Sequence, residues 1–240
     1  MRGWYDALMQ MILDGIREAI RLLVTLDPEV VRIVLLSLKV SGSATLVALL
    51  VGLSGGVALA FLRFPGRNIV VAAVNTGMGV PPVVVGLFVS ILLWRNGPLG
   101  MLELLYTPTA MIIAQVVIAT PIVMGISLAA LQALPEKLRW QAVGLGASRL
   151  QTVWILVREA RLPLLAAVMA GFGGVISEIG ASIMVGGNIR GYTRVLTTAT
   201  VMETSRGNFE IAIGLGILLL LLTFGVNATL TKIQQRERPR

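Results

Sequence analysis

The 240-residue sequence contains no cysteine and no histidine. That excludes disulfides, thiolate or imidazole metal sites, zinc-activated water, and Ser-His-Asp or Cys-His catalysis. Charge is scarce too: Asp, Glu, Lys and Arg make up 13% of the chain, against about 25% in an ordinary soluble domain. No Gly-Lys dipeptide occurs, so the Walker pattern of Gly, four residues, Gly-Lys and Ser or Thr is absent, and any ATP-driven role requires a separate ATPase chain. What is present is apolar, with 56% hydrophobic residues and a mean hydropathy of +0.86.

The missing charges leave five long gaps: Val40 to Leu62, Asn68 to Trp94, Leu104 to Pro135, Leu162 to Ile189 with Glu178 alone inside it, and Ile211 to Thr231. A helix needs about 20 apolar residues to cross hydrocarbon, and each gap is long enough. The expected fold class is an all-α polytopic membrane protein with about five spanning helices. Before the first gap, Asp14, Arg17, Glu18 and Arg21 share one helical face, and Met9, Ile12, Ile16, Ile20 and Leu23 share the other. Residues 1–28 therefore read as an amphipathic helix stopped by Asp27-Pro28, lying at the interface or packed across the bundle edge; the alternative is a sixth crossing, which would put four charges at membrane depth. Residues 29–232 form the membrane domain, and 233–240 a basic tail.

The net charge of +8 has a direction. With five crossings, eleven basic residues from Arg63 and Arg67, the 137–161 segment and the C-terminal tail share one side with three acidic ones. The other nine of each sign fall on the opposite side and cancel. The positive-inside bias places the basic side, and the C-terminus, in the cytoplasm, with the N-terminus outside. The basic balance is then a topology signal, and no nucleic-acid partner is needed.

On that basic side, Leu134-Pro135-Glu136 suits the first turn of a helix, and Trp140, Val143 and Leu145 give it a short apolar side that Gly144 and Gly146 break. A short surface helix presenting Trp and Leu fits a partner's groove, or rests on the membrane as a connector. Pro81-Pro82 lies inside the second gap with Gly77, Gly79 and Gly86 nearby. The prolines imply a broken helix lining a path, or a packing kink at a helix interface. Glu178 must face the bundle interior, water or a basic partner. The reading for it is a structural pairing with Arg190, Arg194 or backbone donors near Gly186-Gly187, or else a place at the outer mouth as a gate. Gly42, Gly52, Gly55, Gly56, Gly171, Gly173 and Gly174 allow close helix packing.

The 135–149 loop resembles the cytoplasmic loop of ABC importer permeases, which carries Glu-Ala-Ala, three residues, Gly, and later Leu-Pro, and docks on the ATPase. Aligning the family glycine to Gly146 puts the triplet on Trp140, Gln141 and Ala142, where only Ala142 agrees; Ala147-Ser148 is typical, and Leu162-Pro163 comes about four residues late. Ser177-Glu178-Ile179-Gly180-Ala181-Ser182 and Gly186-Gly187-Asn188-Ile189 are similar to elements of sulfate, molybdate and tungstate permeases. Gly191 to Thr200, Val80 to Gly86, Tyr106 to Ala110 and Arg158 to Arg161 look like the tungstate branch.

The resemblance implies a type I ABC importer transmembrane domain whose ATPase-coupling residues are Glu136, Arg139, Trp140, Gln141, Ala142, Gly144, Gly146, Ala147 and Ser148. It implies a permease homodimer, two ATPase subunits that hold the ATP and Mg, an extracytoplasmic tungstate-binding protein above, and no cofactor or metal in this chain. A dianion passes best along neutral groups, since tight binding traps it. Ser41, Ser43, Asn75, Thr76, Ser177 and Ser182 are the pathway candidates beside Pro81, Pro82 and Glu178. Arg190 and Arg194 either attract the oxyanion or the acidic surface of its carrier, or are plain loop charges. Molybdate and sulfate stay open as substrates. An ATP-independent channel or proton-coupled carrier would want more than the one buried ionisable group, Glu178, for a relay, and an intramembrane enzyme lacks a Lys or a second acid in the gaps.

Overall fold

The first membrane helix starts well before its uncharged stretch, because the start is set by a cap. Asp27 Oδ1 accepts from the backbone N–H groups of Glu29 and Val30 at 2.8 and 3.3 Å, and Pro28 occupies the first helical position, where no donor is missed. In the computed structural model, which describes residues 2–236, α1 is Arg2–Thr25 and α2 is Pro28–Phe61. Residues 237–240 of the basic tail lie outside the described residues. α2 has 34 residues, about 51 Å of helix against about 30 Å of hydrocarbon. Its first three turns, with Arg32 and Lys39 exposed, therefore stand clear of the Val40 to Leu62 crossing.

There follow α3 (Arg67–Met78), α4 (Pro82–Leu93), α5 (Pro108–Gln132), α6 (Glu136–Gly144), α7 (Arg149–Glu159), α8 (Arg161–Ile176), α9 (Gly180–Gly186), α10 (Leu196–Ser205) and α11 (Phe209–Arg236), with a single 3-10 turn at Gly100–Leu102. Among the described residues α2, α5 and α11 are each long and apolar enough to cross a bilayer, and the pairs α3–α4 and α8–α9 reach that length as bent spans. The second span breaks where Pro81-Pro82 interrupts it, with a bend of 105°. The fourth gap, Leu162 to Ile189, is long enough for one straight crossing. It breaks at residues 177–179 instead, bent by 58°. The glycines at 171, 173 and 174 stay helical, and the break falls at Glu178.

Two compact units form, Met1–Ser43 with Pro82–Gln115 and Ile176–Ala228, and Ala44–Pro81 with Val116–Val175 and Thr229–Arg240. In the first, Ile33, Leu196, Ala199, Leu215 and Leu218 make the core. α1 packs through Gly15 and Ala19 onto Ile213 and Gly214 of α11, while its apolar residues Met9, Ile12, Ile16, Ile20 and Leu23 are exposed. Ion pairs Asp14–Arg17 at 2.8 Å and Glu18–Arg21 at 3.2 Å line its polar face. α4 and α9 meet where Gly86 faces the Ala181 backbone, too close for a side chain.

In the second unit, Ala48, Ala119, Val123, Ala167 and Val175 bring α2, α5 and α8 together. A Cβ on Gly52 would sit 2.9 Å from Val123 Cβ and one on Gly56 would sit 2.8 Å from Ser127 Cβ. Small residues replace hydrophobic drive here, since lipid is as apolar as the helix surface. A second cluster, Leu131, Ala160 and Leu164, fixes the corner between α7 and α8 against the end of α5.

Candidate functional site

One short helix and its exit leave two large apolar side chains open to their surroundings. On α6, Trp140 is 69% exposed, and Leu145 just past it is 89% exposed. Only Ala142 is buried there, at 6%. Apolar surface left this open on nine residues is not held by its own chain and marks an interaction surface.

Local chemistry makes the loop a defined object. The Leu138 N–H bonds the Pro135 carbonyl at 3.0 Å to start the helix. At the other end, Gly146 sits at φ +85, its N–H bonds the Val143 carbonyl, and the Ala147 N–H bonds the Ala142 carbonyl, both at 3.0 Å. This is a Schellman stop, which needs a left-handed residue at that one place. Two residues later Ser148 caps α7. Its Oγ accepts from the Gln151 N–H at 3.3 Å, and Gln151 Oε1 accepts from the Ser148 N–H at 2.8 Å. The Ser-x-x-Gln spacing at 148–151 signals this capping box in the sequence, where it went unread.

Glu136, Arg139, Trp140 and Val143 recur at helical spacing and form one wall of a groove of about 880 Å³; Phe61 at the end of α2, Leu62 and Arg63 just past it, and Ala147, Arg149, Thr152 and Val153 complete it. Three guanidiniums and one carboxylate surround an indole. An acidic, apolar-tipped protein surface complements that arrangement. The structure thus gathers Glu136, Arg139, Trp140 and Ala147 at one groove. Gln141, Gly144 and Gly146 are exposed beside it, Ala142 is the helix's anchor, and Ser148 has a capping task.

The pathway candidates divide. Ser41, Glu178 and Ser182 are buried, at 3%, 7% and 1% exposure. Asn75, Thr76, Pro81 and Ser177 are exposed, and Ser43 and Pro82 are half-buried. Thr76 turns its hydroxyl back to the Ala72 carbonyl at 2.8 Å, and the Gln115 amide reaches Ser182 Oγ at 3.4 Å.

Glu178 pairs with neither Arg190 nor Arg194, and not with the backbone near Gly186-Gly187. Its Oε1 accepts from the Ala181 N–H at 2.8 Å, and its carbonyl accepts from the Thr197 hydroxyl at 3.0 Å. Both bonds satisfy groups at a helix break, where hydrocarbon offers no donors or acceptors.

Arg190 and Arg194 instead meet Glu29, at the start of α2 and outside the crossing. Arg190 Nε donates to Glu29 Oε1 at 2.7 Å, its second guanidinium nitrogen holds Oε2, and Arg194 approaches to 3.8 Å. The Arg190 hydrogen bond holds the Glu29 carboxyl below the usual carboxylate range and raises Arg190, while burial lowers Arg194 against the pull of Glu29. Arg32, Lys39, Arg190 and Arg194 line a crevice of about 550 Å³ with Glu29 as its one acid. The sequence separation of 161 from Glu29 to Arg190 hid this pairing from the sequence.

The model of the family described as binding-protein-dependent transport system inner membrane component matches residues 48–239. A tungstate uptake system permease protein of Peptoclostridium acidaminophilum is 40% identical over 95% of this chain and 100% of its own length. A probable anion ABC transporter permease protein of Haloferax volcanii is 42% identical over 86% of this chain and 91% of its own. A molybdenum transport system permease protein of Escherichia coli K12 is 30% identical over 82% and 93%. In fold, a chain of the MetNI methionine ABC transporter in an inward-facing conformation superposes with a TM-score of 0.75 at 22% identity, covering 88% of this chain and 97% of that one.

Proposed function

This chain belongs to the binding-protein-dependent transport system inner membrane component family, and from that membership we propose that it is the permease subunit of an ATP-driven tungstate importer. The observation that carries the substrate is the end-to-end relation, at 40% identity, to a tungstate uptake permease. The molybdenum permease covers less of the chain at lower identity.

In this reading α6 is the element an ATPase subunit grips. Trp140 enters the partner's cleft, and Arg139, Arg149 and Arg63 meet its acidic rim. The chain holds no Walker sequence, so ATP and Mg bind the partner, and this subunit contributes a contact that differs between the ATPase pair's two states. Five spans are few for a gated path, and a two-fold pair of permeases with the path on the axis is the economical assembly. The excess of basic residues supports a cytoplasmic α6–α7 segment and C-terminus, with the N-terminus outside. The four basic residues of the outer crevice then attract the oxyanion or the carrier that delivers it.

Uptake of tungstate and of molybdate in cells lacking this subunit, then re-supplied with it, tests the reading. Selective loss and recovery of tungstate uptake is expected. Equal uptake of both oxyanions with and without the chain ends the substrate assignment, and loss of molybdate alone reassigns it.

A further inference from the structure

Away from the α6 groove, the corner between α7 and α8 carries a second feature. Ala160, fully buried, turns the chain there, and it sets Arg158 in the last turn of α7 and Arg161 at the start of α8. Beside them lies a cavity of about 410 Å³. Its far wall is aliphatic: Leu49 and Leu53 from α2, and Leu164, Leu165 and Val168 from α8. From Arg161 to Val168 the wall runs about 10 Å along the helix. Trp154 stands at the charged end, 67% exposed, and Leu150 one turn earlier is 81% exposed.

We propose that this cavity is a binding site for an anionic phospholipid, with the headgroup phosphate at Arg158 and Arg161 and an acyl chain along Leu49, Leu53, Leu165 and Val168. Three observations converge on a lipid. The wall continues the surface of a membrane-crossing helix, on which Leu46 and Leu50 are 59% and 64% exposed. The charge changes from none to two guanidiniums at one end only, as a phospholipid's does. An indole stands at that boundary, the depth at which Trp is enriched in membrane proteins. A protein segment would need its own apolar stretch entering from the bilayer side, whereas a lipid is already there. Basic pockets between helices at the cytoplasmic face are the places where anionic headgroups bind. The site differs from the α6 groove, with which it shares no lining residue. The leaflet follows from the orientation proposed above, but the lipid chemistry does not depend on it.

The test is native mass spectrometry of the intact transporter complex titrated with cardiolipin, phosphatidylglycerol or phosphatidylcholine, with thermal unfolding in parallel. The expected result is tighter binding of the two anionic lipids than of phosphatidylcholine. The Arg158→Gln/Arg161→Gln variant is expected to lose that preference by roughly thirtyfold, the effect of two near-surface cations. Leu165→Trp, which fills the chain slot and keeps both charges, is expected to weaken all three lipids, and it decides the matter if the double variant does not fold. Equal binding of anionic and neutral lipid by the wild type overturns the proposal, as does unchanged anionic binding in the variants. Variants that shed the ATPase subunit while binding lipid normally would make the cavity a protein-docking site and also overturn it. Tungstate uptake by the wild type is measured separately, so failure of the lipid site leaves the transport reading standing.

Discussion

Glu178 closes the first turn of α9: its carboxylate takes the backbone N–H of Ala181 at 2.8 Å, across the break in the fourth span. A buried carboxylate in a membrane segment thus has a structural partner three residues away and no cation. Glu178→Gln, which keeps an acceptor oxygen, is expected to melt within a degree or two of wild type. Glu178→Ala is expected to lose about 1 kcal/mol, the usual cost of a missing cap. Thermal unfolding in detergent measures both, and a glutamine variant as weak as the alanine one would show that the charge itself matters.

Trp140 contributes little to its own chain. Trp140→Ala is expected to leave stability within about 0.5 kcal/mol, as for exposed substitutions generally. It is expected to cut ATPase copurification by tenfold or more, about the effect of one buried anchor at an interface. A normal yield of complex would remove α6 as the grip.

Gly146 holds a left-handed φ of +85 with open space around it, so a substitution there meets no clash and only conformational strain. Gly146→Val is expected to cost about 1–2 kcal/mol in the loop and to uncouple ATP hydrolysis from uptake, whereas Gly146→Asn, which tolerates that region, stays close to wild type. Hydrolysis and uptake measured on the same reconstituted samples distinguish the two. Equal coupling in both variants removes the role assigned to the helix stop.

Glu29 has a lowered carboxyl affinity for protons because Arg190 bonds to its charged form. A group depressed in this way stabilises the fold fully above its ordinary value and loses that contribution as pH falls through the lowered one. The gap in melting temperature between wild type and Glu29→Gln should hold from neutral pH down to the ordinary glutamate range and close below it. Added salt should narrow it, since Arg190 is exposed. A gap independent of both pH and salt would point to packing instead.

Much of this architecture is written in where charge is absent. The five gaps coincide with the three long apolar helices and the two bent pairs, because a charge at mid-membrane is costly. Their ends are less legible, since helical hydrogen bonding does not stop at the bilayer surface. α2 begins at the Asp27 cap, twelve residues before its gap, and that cap was readable as an Asp-Pro pair. The break at Glu178 was not, because the glycines that invite one lie a turn or more earlier and remain helical. α10 was also missed: its Thr-rich sequence has weak helix propensity, and burial of Leu196, Thr197 and Thr198 holds it. At the α6 loop the residue types could be read directly, and what they lacked was the division between the exposed Trp140, for which the grip is proposed, and the helix punctuation at Gly146 and Ser148.

α2 differs from the two bent spans in having no joint. One rod of about nine turns starts at the Glu29 clasp and ends at Phe61, on the rim of the groove where Trp140 stands. Without a joint its hydrogen-bond ladder lapses nowhere along those turns, so bending it would strand backbone groups that hydrocarbon cannot satisfy.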